Sequence, residues 1–256
     1  MATKAEVYAY RQFKKALDDS YNRALANLAF DGAASANWIL PNDIHAAYER
    51  VWGTESYKAA YKVNAAIGGV GSIVKDKWME RTSTYVSKVA GERITEVWAY
   101  SKELYVEAVN DAILTAANEG LGTRQAATRI RKLVNKKLKG DINVWRARRI
   151  ARTELTSAHN YGSNQALIDA VSDGAKLRKV WRISGRNTRD AHIAADGQIR
   201  DVDQPFDVGG EQLMYPGAPN GSAENVINCM CSSLPIRSES DEALKYINHG
   251  IFTFAT

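Results

Sequence analysis

Apolar side chains return at steps of three and four through much of the chain, the rhythm that gathers them on one face of a helix. Val7, Tyr10, Phe13, Ala16, Leu17, Tyr21, Ala24, Leu25 and Leu28 predict a helix over residues 4–30, closed by Asp31-Gly32. Pro41, Asn42 and Asp43 form a start signal for a second helix through about Trp52, whose aromatic residues are expected to pack rather than to bind a ligand. Helical spacing resumes over residues 73–118 with Ile73, Trp78, Val86, Val89, Ile94, Trp98, Leu104, Val106, Val109, Ile113 and Leu114, and Gly91 marks a break or a close contact. Gly120-Leu121-Gly122 then precedes a helix that Thr123 can cap. Residues 143–171 carry Val144, Ala147, Ala151, Leu155, Ala158 and Gly162, a stripe of mainly small residues that lets another backbone approach. Ser172, Asp173 and Gly174 stop this helix, and Val180-Trp181-Arg182-Ile183 alternates like a strand.

Between Trp181 and Cys231 the rhythm breaks. Prolines and paired glycines interrupt it every few residues, so this stretch predicts short strands and loops around a polar centre. Thr188 is placed to cap a short helix over 189–195, ended by Asp196-Gly197. A last helical stretch is expected over Ser240 to Asn248, ahead of the apolar tail Ile251-Phe252-Thr253-Phe254. The fold class is α+β, a mainly helical N-terminal region followed by a small mixed α/β C-terminal module. The expected division is 1–140 for the helical region, 141–236 for the module and 237–256 for the terminal helix and tail.

Composition adds little to this class. Apolar residues make up 45% and charged residues 25% of 256, as in an ordinary soluble globular protein. MATKAEVYAY lacks the apolar centre of a signal peptide, and no run reaches the ~18 apolar residues of a membrane span, so a soluble protein made in the cytosol is expected. Two cysteines one residue apart are no disulfide framework and suit a reducing compartment. Gly68, Gly69 and Gly71 are followed by Ser72 and Ile73 instead of Lys-Ser/Thr, so they mark an interhelical turn rather than a phosphate loop.

Charge changes the picture more. The net charge is +5 and the pI about 9.1. From Arg124 to Arg152 the chain sets Arg124, Arg129, Arg131, Lys132, Lys136, Lys137, Lys139, Arg146, Arg148, Arg149 and Arg152 against one acid, Asp141. Like charges repel, so the segment is either a solvated face with local ion pairs or a contact for DNA or an acidic partner. Contact with DNA of this kind would hold phosphates without reading sequence.

One residue set has the chemistry of a metal site: His192, Cys229 and Cys231. Zinc favours imidazole and thiolate, usually with four protein ligands in a structural site. The fourth would come from Asp190, Asp196 or His159, with nothing in the spacing to choose among them. The alternative is a hydrogen-bonded histidine beside two reduced, buried cysteines. Either way the three side chains are expected to lie together and fasten the loops. A zinc deaminase is ruled out, because His192 is followed by Ile193-Ala194 and the cysteines are one residue apart rather than two. A nuclease would use His192 as general base with Arg186 or Arg189 on phosphate. Asn220-Gly221-Ser222 is a turn.

Taken in order, several of these residues resemble a known pattern. They are Arg149-Ile150-Ala151-Arg152-Thr153-Glu154, then Asn160, Gly162, Ala166, Trp181, Thr188-Arg189, His192, Asp196-Gly197 and Phe206. Tyr215-Pro216-Gly217, Pro219 and the run from Ala223 to Cys231 complete the set. The chain from Arg149 onward resembles the phage minor head protein family typified by the Mu F protein, also called the SPP1 head morphogenesis family. It departs from the pattern at Met230, where the family commonly has arginine, and the N-terminal helices carry no matching motif. The resemblance implies a low-copy protein of the head interior, present in the host cytoplasm during assembly. Its implied partners are the portal protein, the major capsid protein and packaged DNA; the resemblance establishes no enzymatic activity, and neither an enzyme nor a membrane partner is expected. A virion-carried metal-dependent or nucleic-acid-cleaving enzyme is the alternative.

Overall fold

The computed structural model describes residues 3–31, 41–69, 73–89, 103–112, 114–115, 118–120, 123–137, 143–185 and 188–237. The expected helix over 240–248, the apolar tail, Gly91, Leu121-Gly122, Lys139, Asp141 and Arg186 lie outside the described residues, as do the side chains of Arg124 and Arg131.

Helices α1 (Lys4–Asp31), α2 (Pro41–Ala66), α3 (Lys75–Val89), α4 (helical through 103–112), α5 (Thr123–Asn135) and α6 (Asn143–Ser172) form the larger part. The first and last of these match the apolar rhythm closely. The second does not stop near Trp52 as the sequence suggests. It continues to Ala66 because Ala59, Ala60 and Val63 carry on the buried stripe begun by Ile44, Ala47, Tyr48 and Val51.

The mixed module follows. Strand β1 (Leu177–Arg182) is central in a three-stranded antiparallel sheet, between β2 (Ile199–Asp201) and β5 (Ser232–Arg237). Pro235, opposite Lys179, is tolerated because β5 is an edge strand with one face of its hydrogen-bonding groups unclaimed by the sheet. A hairpin of β3 (Phe206–Val208) and β4 (Glu211–Leu213) turns at Gly209-Gly210, whose φ values of 60° and 83° suit a tight two-residue loop. Two short helices, α7 (Asp190–Ala195) and α8 (Ala223–Val226), complete it. The N-cap of α7 is Arg189, without a side-chain cap, whereas Thr188 Oγ1 donates to Gly185 O at 2.6 Å. Thr188 therefore closes the preceding loop instead of capping the helix.

One continuous core runs from Phe13, Tyr48 and Trp52 through Ala147, Ala151 and Ala158 of α6 to Trp181, Phe206 and both cysteines. α6 packs against α1 and α2 on one side and against β5 and β1 on the other. Its small-residue stripe has the expected consequence at Gly162, where a Cβ would overlap the Ser56 carbonyl and lie 2.8 Å from Ser56 Cα. Only glycine lets α2 and α6 approach so closely.

Candidate metal centre and its supporting helix

α6 carries a second stripe, and it is polar. Thr153, Ser157, Asn160 and Asn164 recur at steps of four, three and four, so they share a face, and all are buried. Each holds a different part of the module. Thr153 Oγ1 accepts from Asn228 N at 3.0 Å. Ser157 Oγ lies 2.8 Å from Gly217 O. Asn160 donates from Nδ2 to Cys231 O at 3.0 Å and accepts at Oδ1 from Ser233 N at 2.9 Å. Asn164 Oδ1 accepts from Lys179 Nζ at 3.1 Å, and that ammonium also donates to Met214 O at 2.8 Å. Burial pulls the Lys179 ammonium down to about 8, against the raising effect of Asp203. Loop backbone that would otherwise be buried unpaired thus finds partners on the helix.

The opposite face of α6 is tied to α2 by buried acids. Glu154 Oε2 accepts from Trp52 Nε1 at 3.0 Å, and His159 Nε2 lies 3.0 Å from Glu55 Oε2. Burial pushes the Glu55 carboxyl up, but hydrogen bonds from His159 and Lys58 outweigh it and hold the group below its ordinary value.

His192, Cys229 and Cys231 come together between these supports. α7 carries His192 inward, where its ring meets Trp181 edge to face with centroids 5.6 Å apart. After α8 the chain turns at Asn228, held at φ 57° in the left-handed region, and brings Cys229 back towards α7. Nδ1 of His192 is 3.3 Å from Cys231 Sγ and 3.7 Å from Cys229 Sγ, and the three ligand atoms all lie within 4.8 Å of one another. All three residues are at most 3% exposed. Asn160 fixes the Cys231 carbonyl, and the Arg189 guanidinium donates to Ile227 O beside the loop. Hydrogen bonding to Cys231 favours the Cys229 thiolate against burial, with His192 acting in the same direction. The same partnership, together with burial, pushes Cys231 up, so the pair gives up one proton far more readily than two.

None of the three residues considered for a fourth ligand joins this group. His159 is engaged by Glu55 on the other face of α6, Asp196 Oδ1 accepts from Ile183 N at 3.2 Å, and Asp190 is exposed on α7.

The module and its supporting helix fall inside a stretch with known relatives. A family model described as phage Mu protein F like protein matches residues 107–234, half of the chain. The chain belongs to the phage Mu F-like family. It is therefore a phage head-related protein. An uncharacterized protein of Bacillus subtilis (strain 168), YqbB, is 35% identical over 96 residues, which cover 36% of this chain and 30% of that protein. The chain thus spans about a third of the curated relative it matches. No solved structure matches it.

The family match also covers the basic segment, which the structure divides. Arg129 forms a fork with the Glu119 carboxylate, and Lys137 pairs with Asp111 and Glu107. Arg146 is buried at 4% exposure and so leaves the surface. Arg152 lies 3.8 Å from Glu6, Arg148 over the Tyr10 ring and Arg149 over the ring of the exposed Trp145. Lys132 and Lys136 are exposed. The sequence reading missed the polar stripe of α6, although Thr, Ser, Asn and Asn at helical spacing within a strong helix are its visible signal.

Proposed function

We propose that the chain is a minor head protein that binds the portal and major capsid proteins inside the head. There it supports head morphogenesis and the packaging or delivery of DNA. The observation that carries this reading is the family match over 107–234, because that range runs from within α4 through α5 and α6 to within β5 of the module clamped onto α6. Exposed Lys132 and Lys136 on α5, and exposed Arg148, Arg149 and the 55%-exposed Trp145 on α6, offer charge and one aromatic anchor for a partner. Contact with packaged DNA through the same basic residues would be independent of base sequence.

Burial favours binding over catalysis. A general base must come within hydrogen-bond reach of the proton it takes. His192 is 1% exposed and turns Nδ1 towards two sulfurs rather than towards solvent. Among the described residues no helix is long and apolar enough to cross a membrane.

The direct test is co-expression with the portal and major capsid proteins encoded by the same genome. The expected result is a complex with the portal protein that survives size-exclusion chromatography. Elution of the chain alone in the presence of both proteins at micromolar concentration would contradict the reading.

A further inference from the structure

We propose that His192, Cys229 and Cys231 bind one soft divalent cation, zinc by preference, which locks the cysteine loop to α7. This goes beyond the proposed role in the head and does not depend on it.

Zinc bonds of about 2.3 Å to sulfur and about 2.0–2.1 Å to nitrogen, at a tetrahedral angle, place neighbouring ligand atoms roughly 3.5–3.8 Å apart. The His192 Nδ1 distances of 3.3 and 3.7 Å to the two sulfurs lie close to that spacing. Three donors from two separate segments thus set two edges of a tetrahedral face near the zinc spacing, with all three atoms within 4.8 Å of one another. The donor set is selective as well, since thiolate and imidazole suit zinc and exclude the hard cations that need oxygen.

Ligation at Nδ1 would place the ring proton on Nε2, which is buried with no hydrogen-bond partner among the described residues, so the metal bond has to outweigh that unpaired donor. The polar face of α6 gives the site a rigid support: Asn160 holds the Cys231 carbonyl and Thr153 holds the Asn228 amide just before Cys229. Neither residue is a ligand. Both fix the loop in the conformation that aims two thiols at one nitrogen. Deprotonation of the thiols on binding releases protons to solvent, so affinity falls as the pH is lowered. No further His, Cys, Asp or Glu among the described residues joins the group at the fourth coordination position.

The test uses the full chain, purified under reducing conditions without added chelator. Metal analysis is expected to find about one zinc per chain. Replacement by Co²⁺ is expected to give thiolate-to-cobalt charge-transfer absorption in the near ultraviolet and the visible bands of a tetrahedral ion. Cys231→Ser and His192→Ala should each weaken Co²⁺ binding at least tenfold. Because those variants could unfold, the wild-type chain provides a second readout. Chelation should make both thiols react rapidly with a thiol reagent, and added zinc should protect them again. A folded, reduced chain with neither stoichiometric metal nor a Co²⁺ spectrum overturns the proposal. So does thiol reactivity that chelator and zinc leave unchanged.

Discussion

Asn160 donates from Nδ2 to Cys231 O at 3.0 Å across the joint between the long helix and the cysteine loop. Its Oδ1 takes the Ser233 amide at 2.9 Å, so one side chain satisfies a carbonyl and an amide of the segment entering β5. Asn160→Ala leaves both buried without a partner. At about 1–3 kcal/mol for each of the two orphaned groups, the expected loss is roughly 2–6 kcal/mol, read as a lower urea midpoint with an unchanged slope. An unshifted midpoint would show that the joint is held elsewhere.

Two glycines make opposite predictions. Gly162→Ala forces a methyl group into the Ser56 backbone, which cannot yield without separating α2 from α6. Loss of about 1–3 kcal/mol is expected even though alanine is the better helix former. Gly53→Ala meets only the end of the flexible Met79 side chain, at 2.6 Å from its Cε and 3.0 Å from its Sδ. That substitution should be neutral or mildly stabilising. Thermal unfolding of the two variants side by side checks the contrast, and equal effects would contradict the close helix approach.

Much of this arrangement is legible in the sequence. The apolar rhythm of α1 and α6 predicts those helices nearly to the residue, and Gly162 announces a close approach. His192, Cys229 and Cys231 are identifiable as a group from side-chain chemistry alone. What the local pattern conceals is tertiary. α2 outlasts its expected end because burial of Ala59, Ala60 and Val63 against neighbouring helices favours continuation more than any local stop signal opposes it. Thr188 looks like a cap, but the N-cap position falls on Arg189, and the Thr188 hydroxyl donates to Gly185 O in the preceding loop. The charge of Arg124–Arg152 looks uniform along the chain, yet folding pairs Arg129 and Lys137 with acids of neighbouring segments and buries Arg146.

Glu55 makes the joint between α2 and α6 sensitive to acid. Its folded carboxyl lies below its ordinary value of 4.5, so the stabilisation it contributes is present above that value and is lost as the pH falls through the folded one. Glu55→Gln should therefore cost about 1.5–3 kcal/mol at pH 7, the usual range for a hydrogen bond to a charged group. The difference from wild type should shrink once the pH is well below 4.5. Urea titrations at pH 7 and pH 3 measure it. A difference that is constant across that range would mean that the Glu55 charge contributes nothing.

If the basic face meets DNA, affinity should fall steeply with salt, because each neutralised phosphate releases counterions. Replacing Lys132 and Lys136 together by glutamine should reduce the log–log salt slope by about 2 and weaken binding equally on all sequences. Lys137→Gln and Arg129→Gln should matter less, since these side chains are already engaged by Asp111 and Glu119. Fluorescence anisotropy on unrelated duplexes at several salt concentrations gives the slopes. Salt-independent affinity would remove DNA from the partners and leave the protein surfaces of the head.

A bound component of the phage head must be present in the particle. Mass spectrometry of purified particles, with chemical crosslinking to locate the chain within them, tests this. A few copies in the head are expected, with crosslinks from the segment 107–234 or the helices before it to the portal protein. Purified proheads and mature heads that both lack the chain would contradict it.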